Sequence, residues 1–176
     1  NRRAHSETTG PGTWQQNGGP ADACICPVGT GGTPAGTALA LKERNREVVI
    51  GLADPMGAAL YSYYTTGELR SEGSSITEGI GQGRITANLE GAPIDTQFRI
   101  SDQEGYAWVR RLLDEEGLCL GLSAGINVAG SVALGKHPGT GKRIATIVCD
   151  NGFRYLSTLY DPACRQALGL AWGAGA

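Results

Sequence analysis

The sequence holds 176 residues, with 15 basic and 17 acidic side chains and a net charge of −2. That near balance excludes a basic nucleic-acid footprint and a polybasic membrane anchor. No apolar run approaches the roughly 20 residues of a bilayer-spanning helix, and the polar start NRRAHSETTG offers no signal-peptide core. The expectation is a soluble, cytoplasmic chain that acts on a small molecule or another protein.

Taken in chain order, ADACICPV (21–28) is short, apolar and followed by glycine, as a buried strand of a parallel sheet would be. Small and apolar residues at helical spacing then predict a helix over 33–44, ending in the charged KERN. EVVIGLAD (47–54) is the next strand, which makes a βαβ unit. A helix is predicted over 56–67, then a long loop rich in Gly, Ser and Thr up to about residue 94. Loops of that length in compact domains are often functional. A strand over 95–100 follows, and Ser101 with Glu104 forms a capping box that starts a helix over 102–117. Gly117 is its expected C-cap. A small-residue helix over 126–136 and a last core strand over 143–150 complete the pattern. No internal repeat and no boundary interrupt it, so residues 1–176 read as a single α/β domain.

Five cysteines are present, and Cys24, Cys119 and Cys149 lie in apolar runs. They read as reduced core thiols, with Cys24 and Cys26 on one face of a strand. His5 and His137 lack metal-ligand spacing to any of them, so no metal site is expected.

The chemistry concentrates where the first strand meets its helix. Gly29, Thr30, Gly31, Gly32 and Thr33 present consecutive backbone N–H groups at the positive end of a helix dipole, an anion cup. Glycines let the backbone approach an anion, and the two threonines add hydroxyl donors. No Gly-Lys-Ser/Thr follows, so a P-loop is excluded. A dinucleotide site is only partly matched, although Asp54 stands where a ribose-binding acid could sit. A monophosphate cup, another nucleotide cup and a plain structural turn all remain open on the turn alone.

Three further segments bear on that choice. The order VGTGGTPAG, EGIGQG, GLSAGINVAG and then RYLSTL resembles the cysteine synthase and cystathionine β-synthase family of fold type II pyridoxal-phosphate enzymes, from about Thr8 to Tyr160. The resemblance implies the three-layer parallel-sheet α/β fold of tryptophan synthase β-like enzymes and pyridoxal 5′-phosphate as cofactor. It gives Gly29–Thr33 to the cofactor phosphate, Gly79, Ile80 and Gly81 to the substrate side, and Ser123 to the pyridine nitrogen. A neutral hydroxyl there leaves the ring a weaker electron sink than a carboxylate would, which suits β-elimination and β-replacement. Taken alone, Ser123 reads as a helix N-cap. Asp150 reads either as a partner near the ring, outside direct contact, or as an Asx turn with Asn151 and Gly152.

The family's Schiff-base lysine and asparagine loop are not matched. The only lysines are Lys42, Lys136 and Lys142, and none sits in the family's Ser-x-Lys context. The expectation is the second half of such an enzyme, with the N-terminal half missing and no catalytic residue of its own. Complemented by that half, it would make cysteine and acetate from O-acetylserine and sulfide, and alone it would be inactive. Implied partners are an amino-acid substrate, a homodimer mate or the complementary half, and serine acetyltransferase. A non-catalytic phosphate-binding module, a cystathionine β-synthase-type reaction and a nucleotide-dependent enzyme are the competing readings.

Overall fold

The computed structural model describes residues 1–16, 20–136 and 141–170. Two short helices, α1 (Arg2–Glu7) and α2 (Thr9–Gln16), precede strand β1 (Ala23–Cys26) and helix α3 (Gly32–Arg44). Then come β2 (Val49–Pro55), α4 (Leu60–Thr66), β3 (Thr96–Ile100), α5 (Asp102–Glu116), α6 (Leu122–Gly135) and β4 (Ile144–Thr146). A 3-10 turn over Gly152–Tyr155 and helix α7 (Pro162–Ala167) end the described chain. His137 lies outside the described residues.

The strands form one parallel sheet in the order β3-β2-β1-β4. Every residue of β1 is buried, because helices cover both faces of a central strand. Cys24, Cys26 and Ile50 pack with Ala38 and Leu41 of α3 on one face. Ile25 and Ala53 pack with Ile126 and Ala129 of α6 on the other. The result is the expected three-layer α/β architecture. Leu41 and Leu52 are fully buried, each contributing about 1.5–3 kcal/mol of transfer free energy. The neighbouring Cys24 thiol, together with burial, pushes the Cys26 thiol well above its usual range, so Cys26 stays protonated and inert.

The capping box forms as read. Ser101 Oγ accepts from the Glu104 amide at 3.2 Å, while Glu104 Oε2 accepts from the Ser101 amide at 2.9 Å. Gly117 ends α5 in the left-handed conformation, φ 70°. The long loop is pinned at intervals: the Gly57 amide donates to Glu72 O, Ala59 to Gln82 O and Gly81 to Val28 O. Leu89 is buried against Val28, Leu52 and Leu60.

Four expectations need correction. β4 stops at Thr146 instead of reaching 150. Its neighbour β1 runs into Pro27, which has no N–H to extend the ladder. The Ile147 carbonyl accepts from Asn127 Nδ2 of α6 instead, at 2.7 Å. Beyond the end of that strand Cys149 is exposed, and Cys119, ahead of α6, is only half-buried, so neither is a core thiol. Helix α6 begins four residues earlier than predicted, with Gly121 as N-cap. Ser123 is therefore the second residue inside the helix and not its cap. Asp54 is wholly buried and cannot meet a ribose. It accepts from the Tyr61 amide of α4 at 2.8 Å, and burial raises its carboxyl to about 6. The helices α1, α2 and α7 were not anticipated, because their residues are polar and show little helical period.

Candidate functional site

The turn after β1 is shaped by what surrounds it. Gly31, the N-cap of α3, has φ 81°, and no side chain caps the helix. The first amides of α3 thus have no acceptor within the helix and sit at the positive end of its dipole. The Thr30 carbonyl is held by Thr86 Oγ1 at 2.8 Å and Asn88 Nδ2 at 3.1 Å, which turns that peptide away from the helix end. Asn1 Nδ2 donates to Thr30 Oγ1 at 3.0 Å, leaving the threonine hydroxyl proton free to donate elsewhere. A Cβ at Gly29 would lie 2.3 Å from the Gly79 carbonyl oxygen, so the turn and the glycine loop meet backbone to backbone.

These elements enclose a cavity of about 510 Å³. Gly29, Thr30, Gly31, Thr33, Gly79, Ile80, Ser123 and Asp150 all line it. Gly32 and Gly81 do not, but they build the wall. A Cβ at Gly32 would strike Asn1 Oδ1 at 2.3 Å, and the Gly81 amide donates to Val28 O at 2.9 Å.

The far end of the cavity is made of side chains. Ser123 Oγ donates to Asp150 Oδ1 at 2.9 Å, and the Tyr155 hydroxyl donates to Asp150 Oδ2. The Asx turn exists but belongs to Asn151, whose Oδ1 accepts from the Phe153 amide at 3.1 Å. That leaves the Asp150 carboxylate free to face Ser123. Burial, reinforced by the bond to Asp150, pushes the Tyr155 phenol to about 12.

Several lining residues escaped the sequence reading. His5 Nε2 lies 3.2 Å from Thr33 Oγ1 and its Nδ1 2.9 Å from Thr9 Oγ1, so α1 and α2 brace the cup. Arg154 and Glu78 form a 3.5 Å ion pair at the rim. Tyr155 belongs to the RYLSTL stretch, whose position was a signal without a residue role attached. The lysines go elsewhere: Lys42 pairs with Asp95 at 2.8 Å and Lys142 with Asp22 at 3.3 Å. Neither they nor Lys136 line the cavity.

The lining fits a phosphorylated ligand with an apolar body: it holds an uncapped helix end with its amide donors, a hydroxyl paired with a carboxylate, and the apolar side chains of Ile80 and Ile147. Comparison with known proteins bears on the same point. The pyridoxal-phosphate dependent enzyme family model matches residues 1–150. Cysteine synthase 1 of Neurospora crassa is 48% identical over 166 residues, covering 92% of this chain and 44% of that protein. Cysteine synthase 1 of Emericella nidulans is 45% identical over 175 residues, covering 97% and 47%. Among solved structures, the O-acetylserine dependent cystathionine beta-synthase of Helicobacter pylori superposes with a TM-score of 0.80 at 31% identity, covering 89% of this chain and 49% of that one. The chain spans about half the length of the curated relatives it matches. On the extent of the family match and this shared fold, the chain belongs to the pyridoxal-phosphate dependent enzymes, with the architecture of their fold type II members.

Proposed function

We propose that this chain, as one α/β domain, supplies the phosphate- and ring-holding part of a cysteine synthase-type site for pyridoxal 5′-phosphate. The observation that supports it most is the cavity itself, with the uncapped N-terminus of α3 at one end and Ser123 at the other. The amides and hydroxyls of Gly29–Thr33 hold the phosphate, Ser123 meets the ring nitrogen, and Gly79–Gly81 border the substrate side. Bound there, the cofactor supplies an electron sink for the α-carbon of an amino-acid substrate. The overall reaction is β-replacement, in which O-acetylserine and hydrogen sulfide give cysteine and acetic acid.

The Schiff-base lysine has to come from outside these 176 residues, since no lysine lines the cavity. The 176 residues alone are therefore inactive. Val148, Phe153 and Leu156 are each more than half exposed around the lining residues Arg154 and Tyr155, which supports further chain packing there. The working protein is a cytoplasmic homodimer, and serine acetyltransferase is its partner. The Helicobacter pylori neighbour's name favours one second reading, a cystathionine-forming β-replacement from the same O-acetylserine donor.

Calorimetric titration with pyridoxal 5′-phosphate and with pyridoxal tests the site. The phosphate form is expected to bind at least about tenfold tighter, with Thr33→Ala removing most of that advantage. Equal affinities would sink the cup. Product analysis, with the lysine-bearing half supplied, separates cysteine from cystathionine.

A further inference from the structure

Asp102 opens α5, yet its carboxylate takes no part in capping that helix, because Ser101 and Glu104 satisfy each other there. It reaches instead into the long loop. Asp102 Oδ2 accepts from the Ile76 amide at 2.8 Å, and Oδ1 accepts from Ser75 Oγ at 2.5 Å. The first of these fixes the pairing by itself, since the backbone N–H has a set direction and a carboxylate can only accept. Ser75 Oγ also accepts from the Thr77 amide at 3.1 Å, so Ser75, Ile76 and Thr77 are all drawn onto the start of α5. Bonds to a carboxylate are roughly twice as strong as neutral ones.

The loop lines the cavity immediately beyond this latch. Glu78, Gly79 and Ile80 face the space, and after them the Gly81 amide donates to Val28 O at 2.9 Å, just ahead of the cup. The lining residues thus form a bridge, anchored on α5 at one end and on β1 at the other. Gly79 and Gly81 have φ of 76° and 86°, and a Cβ at Gly79 would meet nothing within 4 Å. Glycine backbone of this kind has little stiffness of its own, so the anchors set its place, with Ile80 leaning on the core around Ile25 and Ile126. The α5 anchor is firm. Tyr106 and Val109 of α5 pack with Leu122 of α6, so Asp102 ties the glycine loop to the helix pair that carries Ser123.

Resting on the cofactor-site reading above, we propose that Asp102 is a positioning residue for the amino-acid end of the ligand: by latching Ser75–Thr77 to α5 it sets how closely Gly79 and Ile80 approach a substrate joined to the ring. Asp102 touches no ligand itself. A contact held by a second layer of hydrogen bonds keeps its geometry, and one left to a bare loop loosens. The phosphate end is independent of the latch, because the cup is held from elsewhere by Thr86 and Asn88. Loss of Asp102 therefore weakens a ligand that carries an amino acid and spares one that stops at the ring.

The test needs no lysine. The chain is titrated by calorimetry with pyridoxine 5′-phosphate and with N-(5′-phosphopyridoxyl)-L-serine, a stable conjugate that adds the amino acid. In Asp102→Ala the conjugate is expected to bind about tenfold more weakly, as for one lost bond to a charged group, while pyridoxine 5′-phosphate binds within about twofold of wild type. Hydrogen exchange in the unliganded chain should quicken across residues 76–81 and stay unchanged in α6. Ser75→Asp sets a second carboxylate against Asp102 without altering α5, and should give the same selective loss; in the Asp102→Ala background it should add little. Equal losses for the two ligands, or unchanged exchange across 76–81, overturn the proposal and leave the cofactor-site reading standing. Failure of wild type to bind either ligand overturns both.

Discussion

The two ends of the cavity are made of different material. At Gly29–Thr33 the surface offered to a ligand is chiefly backbone, and its geometry depends on the absence of side chains. At Ser123, Asp150 and Tyr155 it is three side chains from segments up to 32 residues apart in sequence, ordered by their bonds to one another. The first end therefore fails when an atom is added, and the second when a donor or acceptor is changed.

Gly29→Ala should produce the largest effect. Its Cβ would meet the Gly79 carbonyl at 2.3 Å, and neither partner is a flexible side chain that could give way. Overpacking of this kind costs about 1–3 kcal/mol, which lowers the melting temperature by roughly 2–4 °C per kcal/mol in a domain of this size. Pyridoxal 5′-phosphate binding should weaken about 100-fold, some 2.7 kcal/mol, as the glycine loop moves off the cup. Thermal melts and titration on the same sample check both; an unchanged melting temperature would show that the close approach is not structural.

Asp54 belongs to neither end and serves as the contrast. Its carboxyl is raised by burial to about 6 from 3.8, and its Oδ1 has no partner among the described residues. The native state thus binds this proton more tightly than the unfolded chain does. Stability from this group rises as pH falls from about 7 through 6, and the gain is complete below about 4. Asp54→Asn keeps an acceptor for the Tyr61 amide and should flatten that dependence, a difference of at most about 3 kcal/mol between pH 7 and 4. Urea midpoints at four pH values measure it, and parallel curves for the two proteins would refute the assignment.

Tyr155→Phe sharpens the contrast between the ends. It removes a donor from the Asp150 carboxylate at a half-exposed position, at a cost of about 1 kcal/mol. Affinity for pyridoxal 5′-phosphate should fall a few-fold, while inorganic phosphate, which touches only the cup, binds as in wild type. Equal losses for both ligands would mean that the ends are not separable.

The same difference explains what could be read in the sequence. A backbone turn announces itself locally: Gly29–Thr33 between an apolar strand and a small-residue helix is legible as a strand-to-helix turn because strand, turn and helix are contiguous. So are the capping box at Ser101 and the alternation that buries Ile25 and Cys24 on opposite faces of β1. The side-chain end is not local. That Ser123 lies inside α6 depends on Gly121 taking the N-cap. That Asp150 faces Ser123 depends on Asn151 making the turn in its stead, and on Pro27 ending the ladder that would have kept residue 148 in the sheet. The polar α1 was invisible as a helix, yet its His5 braces Thr33. Asp54 misled because position after a strand says nothing about burial.

The smallest effect lies at the rim, between the two ends. Glu78 and Arg154 are 65% and 72% exposed, so their ion pair is worth well under about 1 kcal/mol and Glu78→Gln should leave the melting temperature unchanged. The consequence is electrostatic. Arg154 lines the cavity, and Glu78 neutralises it; removing that charge leaves a cation at the mouth of the site proposed to hold a phosphate. Inorganic phosphate should then bind about two- to threefold tighter at low salt. The gain should vanish near 0.5 M salt, where the screening length is only a few ångströms. A gain that survives high salt would instead mean that Glu78 had been holding the glycine loop in place, and the rim would belong with the backbone end of the site.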